Sequence, residues 1–248
     1  MSRIIVMTSG KGGVGKTTCT ANLGMALAKA GQRVAVVDAD FGLRNLDLLL
    51  GLENRIVYTA LDVLAGECRL DQALVKDKRQ PNLALLPAAQ NRSKESIKPE
   101  QMKRLIIALT KVYNFILIDS PAGIEMGFRN SIAAAREAII VTTPEISAVR
   151  DADRVIGLLE ANDIKAVRLV INRLRPAMVA AEQMMSVKDV QGILSIPLLG
   201  VIPDDEQVIV STNKGEPLVL EEKLSKAGIA FTNVSQRLQG EKVPLMDL

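Results

Sequence analysis

Residues 3–18 read Arg3-Ile-Ile-Val-Met-Thr-Ser-Gly-Lys-Gly-Gly-Val-Gly-Lys-Thr-Thr18. The run Arg3–Thr8 is apolar and rich in strand formers, and the stretch from Thr17 to Ala30 has helical character. Between them, Gly10-Lys11-Gly12-Gly13-Val14-Gly15-Lys16-Thr17 satisfies G-x-x-x-x-G-K-[ST] in the strand–loop–helix setting that gives the motif its meaning. The glycines let backbone N–H groups close around phosphate oxygens, and the helix N-terminus adds partial positive charge. Lys16 is expected to reach the β and γ phosphates of a nucleoside triphosphate, and Thr17 to offer its hydroxyl to Mg²⁺. Gly10, Gly12, Gly13, Val14, Gly15 and Thr18 complete the expected cradle. A glycine turn without a ligand is the alternative, and the flanking strand and helix weigh against it.

Working outward, similar short apolar runs recur at Arg33–Val37, Asn82–Leu86, Phe115–Ile118, Ala138–Thr142, Val167–Ile171 and Pro197–Ile202. Most are apolar throughout instead of alternating, as expected for parallel strands covered on both faces. Helical segments lie between them, at Pro99–Lys111, Ile146–Asn162 and Glu221–Leu238. In Ile146–Asn162, Val149, Ala152, Val155, Ile156 and Leu159 share one face, with Arg150, Asp151, Asp153 and Arg154 elsewhere on the helix. Strand and helix therefore alternate, which predicts an α/β, doubly wound, mostly parallel sheet with helices on both faces, the fold of P-loop NTPases. One domain is expected over 1–248, with Ala88–Glu100 as a long, solvated surface loop.

The chain has 248 residues, 48% of them hydrophobic, enough for a sizeable core and far from a disordered composition. It contains no histidine, so a Ser-His-Asp triad, a Cys-His dyad and imidazole metal sites are excluded. Any proton transfer then falls to carboxylates, Lys or hydroxyls. The two cysteines, Cys19 and Cys68, are too far apart for a Cys-x-x-Cys site and read as ordinary reduced thiols. Lys plus Arg exceed Asp plus Glu by 31 to 28, and the basic residues are interspersed with acids, as in Lys76-Asp77-Lys78, so no nucleic-acid partner is expected. No apolar run approaches the ~18 residues of a membrane span, and the N-terminal apolar stretch is too short for a signal sequence. The expected location is cytoplasmic.

Three carboxylates fall at the ends of predicted strands. Asp38 and Asp40 follow Val36-Val37, and Asp119 follows Phe115-Ile-Leu-Ile118. At the edge where the phosphate loop sits, such groups can approach Mg²⁺ and an attacking water; a turn with a helix cap is the bland reading of Asp38-x-Asp40. Asp119 fits the carboxylate that orients a Mg²⁺ shell, and Pro121-Ala-Gly123 fits a loop sensing the γ phosphate. Asn172, after Val167–Ile171, has an amide suited to an adenine edge; a turn role is the alternative for it, for Arg173 and for Pro203-Asp204-Asp205.

With Lys11 at its second position, the loop resembles that of the deviant Walker A ATPases, the MinD/ParA family. The resemblance implies a homodimer with two ATP molecules sandwiched between subunits, Lys11 contacting the partner's phosphates in trans. A solvated loop lysine is the other reading. It further implies that Asp38 binds Mg²⁺ through water, that Asp40 positions or deprotonates the attacking water, and that Asn172, Arg173, Pro203 and Asp204 surround the base. Lys11, Lys16 and Asp40 are thus the expected catalytic residues, and Thr17, Asp38 and Asp119 the expected metal group. ATP or ADP with Mg²⁺ is the implied ligand.

Longer blocks, Met1–Asp47, Lys76-Asp-Lys-Arg79, Asp119–Glu125, Thr143–Arg154 and Gly200–Pro203 through Gly215-Glu-Pro217, resemble the septum-site-determining MinD branch. For that branch the resemblance implies recruitment of MinC, release by MinE, partner contact through Arg150, Asp151 and Asp153, and peripheral attachment to the inner membrane by a C-terminal amphipathic helix. A solvated face is the alternative for the three charged residues. Gly240–Leu248 does not have the basic, Phe/Leu-rich character of that helix, which is expected to be missing from the chain as given. A flagellar-number regulator of the FlhG type and a DNA-partition ATPase of the ParA type are the alternative functions.

Overall fold

A computed structural model describes residues 2–89 and 97–247. Its eight strands are β1 (Arg3–Thr8), β2 (Val34–Asp38), β3 (Val75–Lys76), β4 (Leu83–Leu86), β5 (Phe115–Asp119), β6 (Glu137–Thr142), β7 (Ala166–Leu174) and β8 (Leu198–Pro203). They form one sheet in the order β3-β4-β2-β5-β1-β6-β7-β8. Every pairing is parallel except the short β3–β4 hairpin at the edge. The helices are α1 (Lys16–Lys29), α2 (Leu46–Leu50), α3 (Ala60–Ala65), α4 (Leu70–Ala73), α5 (Pro99–Leu109), α6 (Met126–Ile132), α7 (Ile146–Ala161), α8 (Pro176–Ala180), α9 (Val187–Leu194), α10 (Glu206–Lys214) and α11 (Lys226–Leu238).

The alternation of strand and helix has the consequence read from the sequence. Strands β2, β4 and β5 are buried along their whole length, because helices cover both faces of the sheet. On one face α5, α6 and α7 pack over Val6, Val37, Ile118 and Ile140; on the other, α1, α2 and α11 pack over Ile5, Met7, Val36 and Leu117. Helix α1 is pinned against the sheet by Gly24, where a Cβ would lie 2.6 Å from Cγ1 of Val36. The chain leaves β1 with β5 on one side and β6 on the other, so the strand order diverges around β1 and a crevice opens at the carboxyl edge. Among the described residues no helix is long and apolar enough to cross a membrane.

Three expectations are corrected. The last helix starts at Lys226 instead of Glu221, because the Ser225 hydroxyl caps it by accepting from the Gly228 N–H, while Leu218–Leu220 form a 3-10 turn. Strand β7 continues past Ile171 to Leu174 through an irregularity in its pairing with β8, which puts Asn172 and Arg173 inside the strand. At the ends of the expected Ala88–Glu100 loop, Ala88 and Ile97 are buried and α5 has begun by Pro99; residues 90–96 lie outside the described residues.

The Gly24 contact yields a stability prediction. Val36 is β-branched and fully buried, so Gly24→Ala forces α1 off the sheet and costs about 1–3 kcal/mol, read as a lower urea midpoint with an unchanged slope. An unchanged midpoint contradicts the packing described.

Candidate functional site

The phosphate loop emerges from β1 and turns into α1 through Gly13 and Gly15, whose φ values of 79° and 91° suit glycine alone. Behind the loop, the buried Asn172 amide donates to the Val14 carbonyl at 2.8 Å, and a Cβ on Gly15 would strike that amide at 2.3 Å. Gly15 therefore serves twice, for its backbone and for the close approach of β7. In front of the loop the first glycine meets α7: a Cβ on Gly10 would lie 2.3 Å from the Asp151 backbone.

Parallel register brings the strand-end carboxylates together, since Asp119 is the Cα partner of both Met7 and Asp38. The Asp119 carboxylate is buried, and three groups of α1 donate to it: Lys16 Nζ at 3.2 Å and Thr20 Oγ1 at 3.0 Å to Oδ1, and Thr17 Oγ1 at 2.7 Å to Oδ2. Asp38 is equally buried, with Oδ1 accepting from the Asp40 N–H at 2.9 Å and Oδ2 from the Leu46 N–H at 3.2 Å. Burial, and then the Asp119 charge, push its carboxyl up to about 7 despite those two bonds. Nearby, burial and then the Asp119 charge push the Cys19 thiol up to about 12, so it is an inert thiol, as its sequence context suggests.

The two loop lysines are drawn to different partners. Lys16 is held on Asp119, whereas Lys11 Nζ crosses to the start of α7, 3.3 Å from Oε2 of its N-cap Glu145 and 3.1 Å from Ser147 Oγ in its first turn. Asp40, Lys11, Lys16, Thr17 and Thr18 line one recess with the glycines of the loop. Beside it a cleft of about 750 Å³ is lined by Gly15, Thr18, Asn172, Arg173, Pro203 and Asp204 among others, so the four expected base-pocket residues share one wall system with the phosphate loop. Arg173 has φ +57°, a left-handed backbone at the β7 irregularity. A larger cleft of about 1090 Å³ lies alongside, lined by Pro144, Ile146 and Met178 but by none of the loop glycines. Cationic donors and carboxylate oxygens converge at the loop and its strand-end carboxylates, where Lys16, Thr17 and Thr20 meet Asp119.

A model of the CobQ/CobB/MinD/ParA nucleotide binding domain matches residues 5–218. The septum site-determining protein MinD of Synechocystis sp. (strain ATCC 27184 / PCC 6803 / Kazusa) is 67% identical over 247 residues, covering 100% of this chain and 93% of that protein. The chain belongs to the MinD family. Among solved structures, MinD-family likeness extends to the MinC:MinD cell division protein complex of Aquifex aeolicus, with TM-score 0.92 and 49% identity over 99% of each chain. It extends also to the MinD of Pyrococcus horikoshii OT3 complexed with Mg-ADP, with TM-score 0.87 and 35% identity over 96% of each chain.

Several residues of this MinD-family site carry no motif signal. Thr20 lies one helical turn beyond Lys16, and only the i+4 geometry of α1 puts it on Asp119. Glu145 and Ser147 could have been sought at the carboxyl end of β6, where parallel sheets place ligand groups. Arg175 pairs with Asp204 at 2.6 Å in the lining of the 750 Å³ cleft. Of the expected partner-contact group, Arg150 and Asp153 are exposed on α7, while Asp151 is half-buried with its backbone against Gly10.

The raised Asp38 carboxyl sets a pH dependence. Between the ordinary carboxylate value and about 7, the folded state holds a proton that the unfolded chain has released, so stability falls as pH rises through this window. The ligand-free protein is expected to lose stability between about pH 4 and 7 at this site, and Asp38→Asn to flatten that part of the profile in denaturant titrations at several pH values. An equally steep profile in the variant contradicts the assignment.

Proposed function

We propose that the chain is an ATP-dependent dimerisation switch with slow Mg²⁺-dependent ATPase activity, converting ATP and water to ADP and phosphate, and that it acts in placing the division septum. The observation that carries this reading is the division of labour between the lysines: Lys16 is built into the carboxylate group beneath the loop, while the Lys11 side chain turns away from that group to the start of α7. Lys11 thus stands outside the Lys16–Asp119 pair, and its exposed contact with Glu145 can be exchanged for phosphates presented by a second subunit.

The donor set fits a magnesium nucleotide. Oxygen ligands from Thr17, Asp38 and Asp119 suit a hard divalent cation, and backbone N–H groups with Lys16 suit phosphate. Bound there, Mg²⁺ would neutralise phosphate charge, with Thr17 and Asp119 as its protein-side anchors and Asp38 acting through water. Lys16 exchanges Asp119 for phosphate oxygens. Asp40 orients the attacking water and accepts its proton, a task no histidine is present to take. Asn172, Arg173, Pro203 and Asp204 hold the base in the adjoining cleft. A cation delivered in trans is worth ~10³–10⁵ in rate, so hydrolysis is slow until a second subunit brings its Lys11. Contacts to the partner's γ phosphate vanish with hydrolysis, which makes the dimer a timer.

The names of the relatives support a septum-site role, and the Aquifex complex supports MinC as a partner. The contact proposed for it is the exposed Arg150 and Asp153 side of α7. MinE is the proposed releasing partner, and the ATP dimer is proposed to sit peripherally on the cytoplasmic face of the membrane. Light scattering with ADP and with ATP tests the switch. Asp40→Ala is expected to remain a dimer in ATP, and Lys11→Ala to stay monomeric with its fold intact; a persistent monomer of Asp40→Ala in ATP would overturn the sandwich.

A further inference from the structure

The Lys76-Asp77-Lys78-Arg79 stretch has no role in the nucleotide chemistry, yet its side chains tie together two walls of the site. Asp77 is buried at the β3–β4 turn; its Oδ1 accepts from the Arg79 N–H at 2.7 Å and from Arg79 Nε at 3.1 Å, and its Oδ2 from Nη2 at 2.7 Å. Burial draws the Asp77 carboxyl up, but the Arg79 side chain and the N–H groups of Arg79 and Gln80 outweigh it and hold the carboxyl below its ordinary value. The guanidinium is therefore fixed in place. Its remaining N–H groups reach two main-chain carbonyls, Nη1 to Gly215 at 3.1 Å and Nη2 to Leu50 at 2.5 Å.

Those carbonyls belong to the C-terminal ends of α10 and α2, which touch each other. The caps Gly51 and Gly215 have φ values of 62° and 65°; a Cβ on Gly51 would lie 2.6 Å from the Gly215 carbonyl oxygen, and one on Gly215 would lie 2.7 Å from the Gly51 Cα. Two helix C-termini, each with orphan carbonyls and partial negative charge, meet under one cation. A planar fork of donors can serve both at once, which an ammonium group does less well.

The opposite ends of the same helices reach the nucleotide site. Helix α2 starts at Leu46, whose N–H holds Asp38, and its N-cap Asn45 lines the phosphate recess. Helix α10 follows Asp205, and Glu206, Val208 and Ile209 line the base cleft. We propose that Arg79 is a positioning residue for nucleotide binding: by clamping α2 to α10 at their far ends, it fixes the Asp38-bearing wall relative to the base-cleft wall. This rests on the nucleotide-site reading given above.

The test is the affinity for a fluorescent N-methylanthraniloyl ADP with Mg²⁺, measured at a temperature where circular dichroism shows each variant folded. Arg79→Ala is expected to weaken binding by roughly tenfold or more, as displaced site walls do, and Arg79→Lys to recover part of it. Arg237→Ala is the control: Arg237 donates to the carbonyls of Leu199, Val243 and Pro244, a comparable backbone clamp away from the site. It should lower the melting temperature yet keep the affinity within about twofold. Wild-type affinity in a folded Arg79→Ala, or an equal loss in Arg237→Ala, overturns the proposal; should Arg79→Ala not fold, wild-type affinity in Arg79→Lys does so. If the wild type does not bind the probe, the nucleotide-site reading falls and the clamp with it.

Discussion

Everything at the carboxyl edge of the sheet depends on the buried Asp119 carboxylate. It stands at the end of a central strand, in register with β1 on one side and with Asp38 at the end of β2 on the other. Two neighbouring carboxylates out of water repel, and the rise of the Asp38 carboxyl to about 7 is the mark of that burial and repulsion. The compensation comes from α1, whose first turn and a half supplies Lys16, Thr17 and Thr20 to one carboxylate. A buried ion pair such as Lys16–Asp119 is a poor source of net stability. On the proposed reading its value lies in chemistry: it keeps a lysine, a hydroxyl and two carboxylates together where a magnesium nucleotide would take over their mutual contacts.

The surrounding fold is arranged to keep this cluster from drifting. Gly24 brings α1 onto the sheet, Gly15 lets Asn172 of β7 brace the loop from behind, and Gly10 lets α7 abut it in front. Helix α1, strand β7 and helix α7 are thereby held around the loop by close approaches that small residues permit and larger ones forbid. The contact between Gly10 and α7 also places the exposed Arg150 and Asp153 on a helix that begins next to Lys11's partners, so a protein bound there would rest on an element that touches the phosphate loop.

Much of this was legible in the residues. Apolar runs ending in Asp38 and Asp119, a glycine loop after the first run and a helix after the loop are local signals, and they translate directly into strands with chemistry at one edge. What was not legible depended on distance along the chain or on irregular backbone. Thr20 joins the site only through helical spacing, and Glu145 and Ser147 only through the adjacency of β6 to β1. The polar Asn172 and Arg173 end the apolar pattern at Ile171, and nothing in that pattern signals that β7 runs on to Leu174 through a left-handed Arg173. The start of α11 turned on one hydroxyl, Ser225, that the charged residues upstream obscured.

The most direct test of the central role of Asp119 is calorimetric titration with ADP, in Mg²⁺ and again in excess EDTA, for the wild type and Asp119→Asn. Asparagine preserves size and an acceptor for α1 while removing the charge. The account predicts that Mg²⁺ strengthens ADP binding in the wild type and that this gain is largely lost in the variant. A full Mg²⁺ gain in Asp119→Asn would contradict it.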